Sequence, residues 1–178
     1  MIAKARKNFN DNYYNENYQY LKNQVTNTYY HAPKFRLAET PVFLPEDFKA
    51  KLLEGCEDAF RTICAPDFKE KTEGSLVQRV PNENAHTHFM QIDFGVCEDK
   101  NGELSPQMIE IQGFPSLYAF QVGLAEAFKT NFNFPSGTKW TTFFNGLNEK
   151  EYLQLLKEVI VGNHHPENVV LLEIEPEK

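Results

Sequence analysis

Asp93, Glu110 and Gln112 are the residues whose types and spacing best fit a chemical task. They lie in two runs of alternating character, His88-Phe-Met-Gln-Ile-Asp-Phe-Gly-Val-Cys97 and Pro106-Gln-Met-Ile-Glu-Ile-Gln112. Side chains alternate faces along a strand with period two. In the first run Met90, Ile92, Phe94 and Val96 share one face, and Gln91 and Asp93 lie on the other beside Gly95. In the second, Ile109 and Ile111 face one way and Met108, Glu110 and Gln112 the other. If the apolar faces coincide, two carboxylates and an amide converge on the opposite face of one hairpin. Hard oxygen donors of that kind suit Mg²⁺, which takes one or two carboxylates and completes its shell with water and phosphate oxygens. The plain alternative is a half-solvated hairpin, whose outer face is polar without any ligand.

The histidines and cysteines offer other chemistry. His86 and His88 in Asn84-Ala-His-Thr-His are two apart and would share a strand face, a spacing that can serve zinc, but no third ligand is evident. Contact with solvent or substrate is the alternative for both. His164 and His165 follow a helix end and precede Pro166, which suggests capping or solvent exposure. Cys97 beside His86 or His88 could form a nucleophile pair, but it sits inside the strand pattern and nothing in the sequence activates it. Neither GxGxxG nor GxxxxGK[ST] occurs, so a Rossmann or P-loop phosphate site is not indicated.

These residues need elements to hold them. Glu-Asp-Lys-Asn-Gly between the two runs has turn composition, so the runs read as antiparallel strands. Gly113-Phe-Pro115 breaks the second strand. A helix should follow, with Ser116 as N-cap and Leu117, Phe120, Leu124 and Phe128 on its buried face, lying over the hairpin's apolar side. Upstream, Pro45 opens a helix in which Phe48, Leu52, Leu53, Cys56, Phe60 and Ile63 recur at helical spacing, and Pro66 stops it. Downstream, a short strand is expected through Lys139-Trp-Thr-Thr-Phe-Phe144. Asn148-x-x-Glu151 resembles a capping box opening a helix that Gly162 ends, and Asn168-Val-Val-Leu-Leu-Glu-Ile-Glu175 has the pattern of a buried strand. Residues 1–44 hold Tyr13, Tyr14, Tyr18, Tyr20, Tyr29 and Tyr30. They read as a Tyr- and Asn-rich extension with a helix around Tyr13 to Gln24, its rings packed on the body or on a partner.

The 178 residues and 20.6 kDa are enough to bury a core without disulfide or metal staples. The expectation is an extension over 1–44 and an α+β domain over 45–178. Eighteen basic and twenty-five acidic residues leave a net charge of −7, which disfavours nucleic acid and fits cations or metal-bridged phosphates. Three cysteines without CxxC spacing point to a reduced, cytoplasmic chain. The N-terminal run has no apolar h-region and no stretch is long enough to span a membrane, so neither export nor membrane partnership is expected.

At the hairpin the sequence resembles the metal-binding end of ATP-grasp enzymes, over about Arg79 to Phe128. Those proteins carry an acid on one strand and then a Glu-x-Asn strand followed by a Gly or Pro turn. The matching residues here are Asp93, Glu110-Ile-Gln112 and Gly113-Phe-Pro115, and the order of pieces, with PQMIEIQGFPSLYAFQ, is similar to the circularly permuted group. Gln112 stands where the family has Asn, and the family's clamping lysines and phosphate loop have no counterpart here. The resemblance implies Mg²⁺ on Asp93 and Glu110 with Gln112 as auxiliary ligand, and ATP phosphate or a substrate carboxylate near Arg79. The parent would be an ATP-dependent carboxylate–amine ligase, and this chain its N-terminal portion, ending after the strand at Glu173 to Glu175 and inactive by itself. The fold expected is a mainly antiparallel sheet with a central hairpin under three or four helices. Two readings compete: a non-catalytic interaction domain docking through its tyrosines, and a small metal-dependent hydrolase using the same acids with His86 or His88.

Overall fold

The computed structural model describes residues 2–75, 81–82, 86–114, 117–134 and 139–173. It is an α+β protein. Among the described residues there are six α-helices and one two-stranded antiparallel sheet. The chain divides into two compact units, one made of Met1–Phe43 with Ser116–Lys178, the other of Leu44–Pro115.

The first unit is helical. Helix α1 spans Ala3–Asp11 and α2 spans Asn15–Tyr29. The aromatic-rich start of the chain therefore carries a second helix that the tyrosine spacing does not predict. The signal is there in Ala5 and Phe9, four apart and both buried, on a helix otherwise polar. Helix α5 spans Tyr118–Asn131 and α6 spans Glu149–Val161. Helix α2 packs against α5: Asn131 Nδ2 donates to Gln24 Oε1 at 2.7 Å, and the Tyr29 hydroxyl donates to the Ala119 carbonyl at 3.2 Å. Phe9 is the centre of the core, with Phe132 at 4.8 Å between ring centroids and Phe43 at 5.9 Å. Leu21, Val25, Leu37 and Phe128 complete it. The buried Tyr18 hydroxyl donates to the Leu37 carbonyl at 2.7 Å, which resolves the polar end of an otherwise apolar burial.

Asn148 caps α6 by accepting from the Glu151 N–H at 3.0 Å, while the Glu151 carboxylate accepts from the Asn148 N–H at 2.9 Å. The capping box is as the sequence implies. Gly162 ends the helix with φ of +56°. Two expected strands do not form. The described residues of 139–144 are irregular, and so are Val169–Glu173; the last two residues of that second strand lie outside the described residues. β-branched and aromatic runs describe a preference for a pleated neighbour, and without one they do not make a strand.

In the second unit α3 spans Glu46–Ile63, opened by Pro45 with Glu46 and Asp47 in the first turn, where the helix dipole favours acids. A one-turn-and-a-half α4 follows at Phe68–Thr72. Strands β1, Gln91–Glu98, and β2, Leu104–Gln112, form the hairpin. The sheet expected to surround this hairpin is absent among the described residues: the hairpin is the whole sheet. Its cover also differs from expectation. Helix α5, expected above it, belongs to the helical unit, and α3 is the helix packed on the hairpin. The contact is close because Gly55 lacks a side chain; a Cβ there would lie 3.0 Å from Phe94 Cε1. Lys51 of α3 donates to the Leu104 carbonyl at 2.8 Å and holds the start of β2.

The turn between the strands is organised by Asp99. Its Oδ1 accepts from the Asn101 N–H at 2.8 Å and the Glu103 N–H at 2.9 Å, with Gly102 at φ +80°. The Glu103 N–H, then the Asn101 N–H, hold the Asp99 carboxyl below its usual range. A depressed folded value means the turn gains stability above the unfolded carboxylate value, near ~3.9, and loses it as pH falls through the folded value. The protection of the Asn101 and Glu103 amides against exchange, relative to an unstructured chain at the same pH, should therefore fall in acid, and Asp99→Ala should show the reduced protection at neutral pH. Equal protection in Asp99→Ala would mean that the strands alone close the turn.

Candidate functional site

The register places the acids opposite each other. Gln91 pairs with Gln112, Ile92 with Ile111 and Asp93 with Glu110. Directly paired residues of an antiparallel ladder share a face, with Cβ atoms about 4.5–5.5 Å apart. Asp93, Glu110, Gln91 and Gln112 thus form a four-residue polar patch on one face, as the parity of the two runs predicts.

Within the patch the amides serve the carboxylates. Gln112 Nε2 donates to Glu110 Oε1 at 2.7 Å, and Gln91 Nε2 donates to Asp93 Oδ1 at 3.2 Å. Gln112 therefore meets Glu110 with its donor end. To ligate a cation as an auxiliary donor it would turn its amide and offer oxygen. Neither carboxylate meets a basic side chain among the described residues. Asp93 is half-buried and Glu110 exposed. Two negative charges sit across one rung, which costs stability unless a cation answers them.

A bulge follows at once. Phe94 pairs with Met108, so Ile109 is the extra residue on β2. Beyond it the parity of β2 inverts. Met108, expected on the polar face, pairs with Phe94 on the apolar one. Ile109, expected in the core, is 69% exposed, and its Cδ1 lies 3.8 Å from where a Gly95 Cβ would be, on the face of the acids. A Cβ at Gly95 would only touch this side chain at ordinary van der Waals distance. Ile109→Ala should then change stability by no more than about 0.5 kcal/mol, as surface positions do; a loss of 2 kcal/mol or more in urea melts would contradict the bulge.

The open end of the hairpin is tied beside the patch. Thr87 Oγ1 reaches the carbonyls of Phe89 and Gly113, both at 2.9 Å, so the chain entering β1 is joined to the chain leaving β2. Arg79, the expected phosphate or carboxylate contact, lies outside the described residues, as does Ser116. His86 and His88 are exposed, with ring centroids 5.5 Å apart. No group of three or more His, Cys, Asp or Glu that could hold a metal occurs among the described residues. Cys97 is exposed near the far end of β1, across from Ser105, and all three cysteines are free. Burial, then Glu57, pushes the Cys56 thiol up, which makes it a poor nucleophile. His165 lies 3.7 Å from Glu167 at the surface. No helix among the described residues is long and apolar enough to cross a membrane. Comparison with family models, curated proteins and solved structures finds no match to this chain.

Proposed function

We propose that the polar face of the hairpin is a half-site for Mg²⁺, and that it serves an ATP-dependent ligase of the ATP-grasp kind in which a carboxylate is activated and joined to an amine. The observation that carries this reading is the direct pairing of Asp93 with Glu110 on one face, neither carboxylate meeting a basic side chain among the described residues. Two carboxylates fixed on rigid strands supply the protein's usual share of a Mg²⁺ shell, and water and phosphate oxygens supply the rest. Mg²⁺ there would neutralise charge developing on a transferred phosphoryl group. Gln91 and Gln112 orient the two carboxylates through their amide N–H groups. Among the described residues no cationic cradle for the nucleotide lies beside the patch, so the chain should bind Mg²⁺ weakly and should not turn over ATP alone.

The test is calorimetric titration with Mg²⁺, paired with thermal melts. Without metal, Glu110→Gln should raise stability by about 0.2–1 kcal/mol by removing the like-charge rung. With Mg²⁺, the original chain should be stabilised and both Asp93→Asn and Glu110→Gln should not respond. Equal Mg²⁺ response in all three proteins would overturn the metal reading. Robust ATP turnover by the 178-residue chain would overturn the half-site reading in favour of a complete enzyme.

A second reading is a non-catalytic interaction domain. It is favoured by the exposure of Val96, Met108 and Phe114 around the same hairpin, at 46%, 55% and 57%. Apolar side chains grouped on an open sheet are a mark of docking.

A further inference from the structure

The chain carries an open sheet edge and an exposed segment of strand-like sequence. A two-stranded sheet has two edges. That of β2 is guarded: Pro106 lacks an N–H, and the bulge at Ile109 breaks the regular ladder. That of β1 is not. Gln91–Glu98 contains no Pro, no Lys and no bulge, and β2 is its only strand partner among the described residues.

The exposed segment is Val170–Leu172, entered through the half-buried Val169. It leaves a 3₁₀ turn at Pro166–Asn168 in extended conformation, with Val169 at φ −93° and ψ 123°. Val170, Leu171 and Leu172 are 83%, 84% and 88% exposed, the highest values of any large apolar residues described except Tyr30. Four consecutive aliphatic residues with two β-branched ones have a buried-strand sequence, and the last three of them are left in water.

We infer that β1 receives this segment from a second copy of the chain as a third strand, and that the two copies exchange it reciprocally. Among the described residues the edge of β1 has no second strand partner and Val170–Leu172 are exposed, and one strand-like run matches one unguarded edge. Strand addition supplies main-chain hydrogen bonds along the edge, and alternate side chains extend the apolar face of Ile92, Phe94 and Val96. A stable interface buries roughly 1,200–2,000 Å², more than one short strand provides; a reciprocal pair doubles the area and closes with two-fold symmetry. Each copy carries a charge of −7, so the association should tighten as salt screens the repulsion.

Cys97 on β1 gives a native probe of the edge. Leu171→Cys adds a second thiol at an exposed position that the fold does not use. Mild oxidation should give a disulfide-linked dimer on non-reducing gels, absent when Cys97→Ser is combined with Leu171→Cys. Sedimentation of the original chain should show about twice the 20.6 kDa mass at micromolar concentration, and Leu171→Asp should restore the single mass. A link formed within one chain would assign the edge to the chain's own segment and overturn the exchange. A single mass for the original chain at high concentration and salt would overturn it as well, leaving the edge to some other partner. Association that persists unchanged in Leu171→Asp would place the interface elsewhere.

Discussion

Phe9→Ala should cost about 3–5 kcal/mol, the loss expected for deleting a buried aromatic. Phe9 is 1% exposed and its ring meets Tyr13, Phe43, Phe128, Phe132 and Phe134 at centroid distances of 4.8 to 6.5 Å. These partners come from both ends of the sequence, so one truncation opens a cavity where several segments meet. Tilted and edge contacts between aromatic rings add to the area they bury. Phe9→Leu keeps most of the volume and should lose much less. The measurement is urea unfolding followed by the only tryptophan, Trp140, whose ring lies 5.2 Å from Phe43 in the same unit. A loss under about 1 kcal/mol, the range of a surface change, would mean that α1 is an appendage and not part of the core.

Gly55→Leu should cost about 1–3 kcal/mol through overpacking, offset by about 0.5–1 kcal/mol of helix propensity gained on replacing glycine. The reason is the approach of α3 to the hairpin, where a Cβ would already stand 3.0 Å from Phe94 Cε1 and 3.2 Å from Cζ. Gly55→Ala is the sharper comparison. There the propensity gain competes with a contact that the Phe94 ring must yield to by a few tenths of an ångström, so its effect should lie near zero. Phe94 follows Asp93 on β1, so Gly55→Leu should also shift the amide resonances of Asp93 and Glu110, while Gly55→Ala shifts them little. Unchanged stability and resonances in Gly55→Leu would show that the helix does not position the patch.

The metal reading and the strand exchange rest on opposite features of the hairpin and can fail separately. Glu110→Gln acts on the charged face and leaves the outer edge of β1 intact. Leu171→Asp acts on the exposed C-terminal segment and leaves Asp93 and Glu110 in place. Mg²⁺ response and molecular mass therefore report on different surfaces.

What could be read from the sequence depends on how local each signal is. The capping box at Asn148 and Glu151, the opening of α3 at Pro45 and the end of α6 at Gly162 follow from residues a few positions apart, and all three form. That Asp93 and Glu110 share a face follows from period-two parity once the apolar faces coincide; their direct pairing is set by the register shift between Asp93 and Phe94. The Mg²⁺ role proposed for these residues rests on their types and placement alone.

Other features were settled by tertiary structure. A bulge has no period of its own, so the inversion at Ile109, which exposes that residue and turns Met108 to the apolar face, is invisible to parity. Which helix covers the hairpin depends on Gly55 admitting the Phe94 ring, a contact between residues thirty-nine positions apart. Helix α1 forms on a sequence that is mostly polar because Ala5 and Phe9 are buried by partners distant in the chain. Val169–Leu172 has the composition of a strand and remains outside any sheet, because composition sets a preference for pairing but only a neighbouring strand can supply the hydrogen bonds that satisfy it.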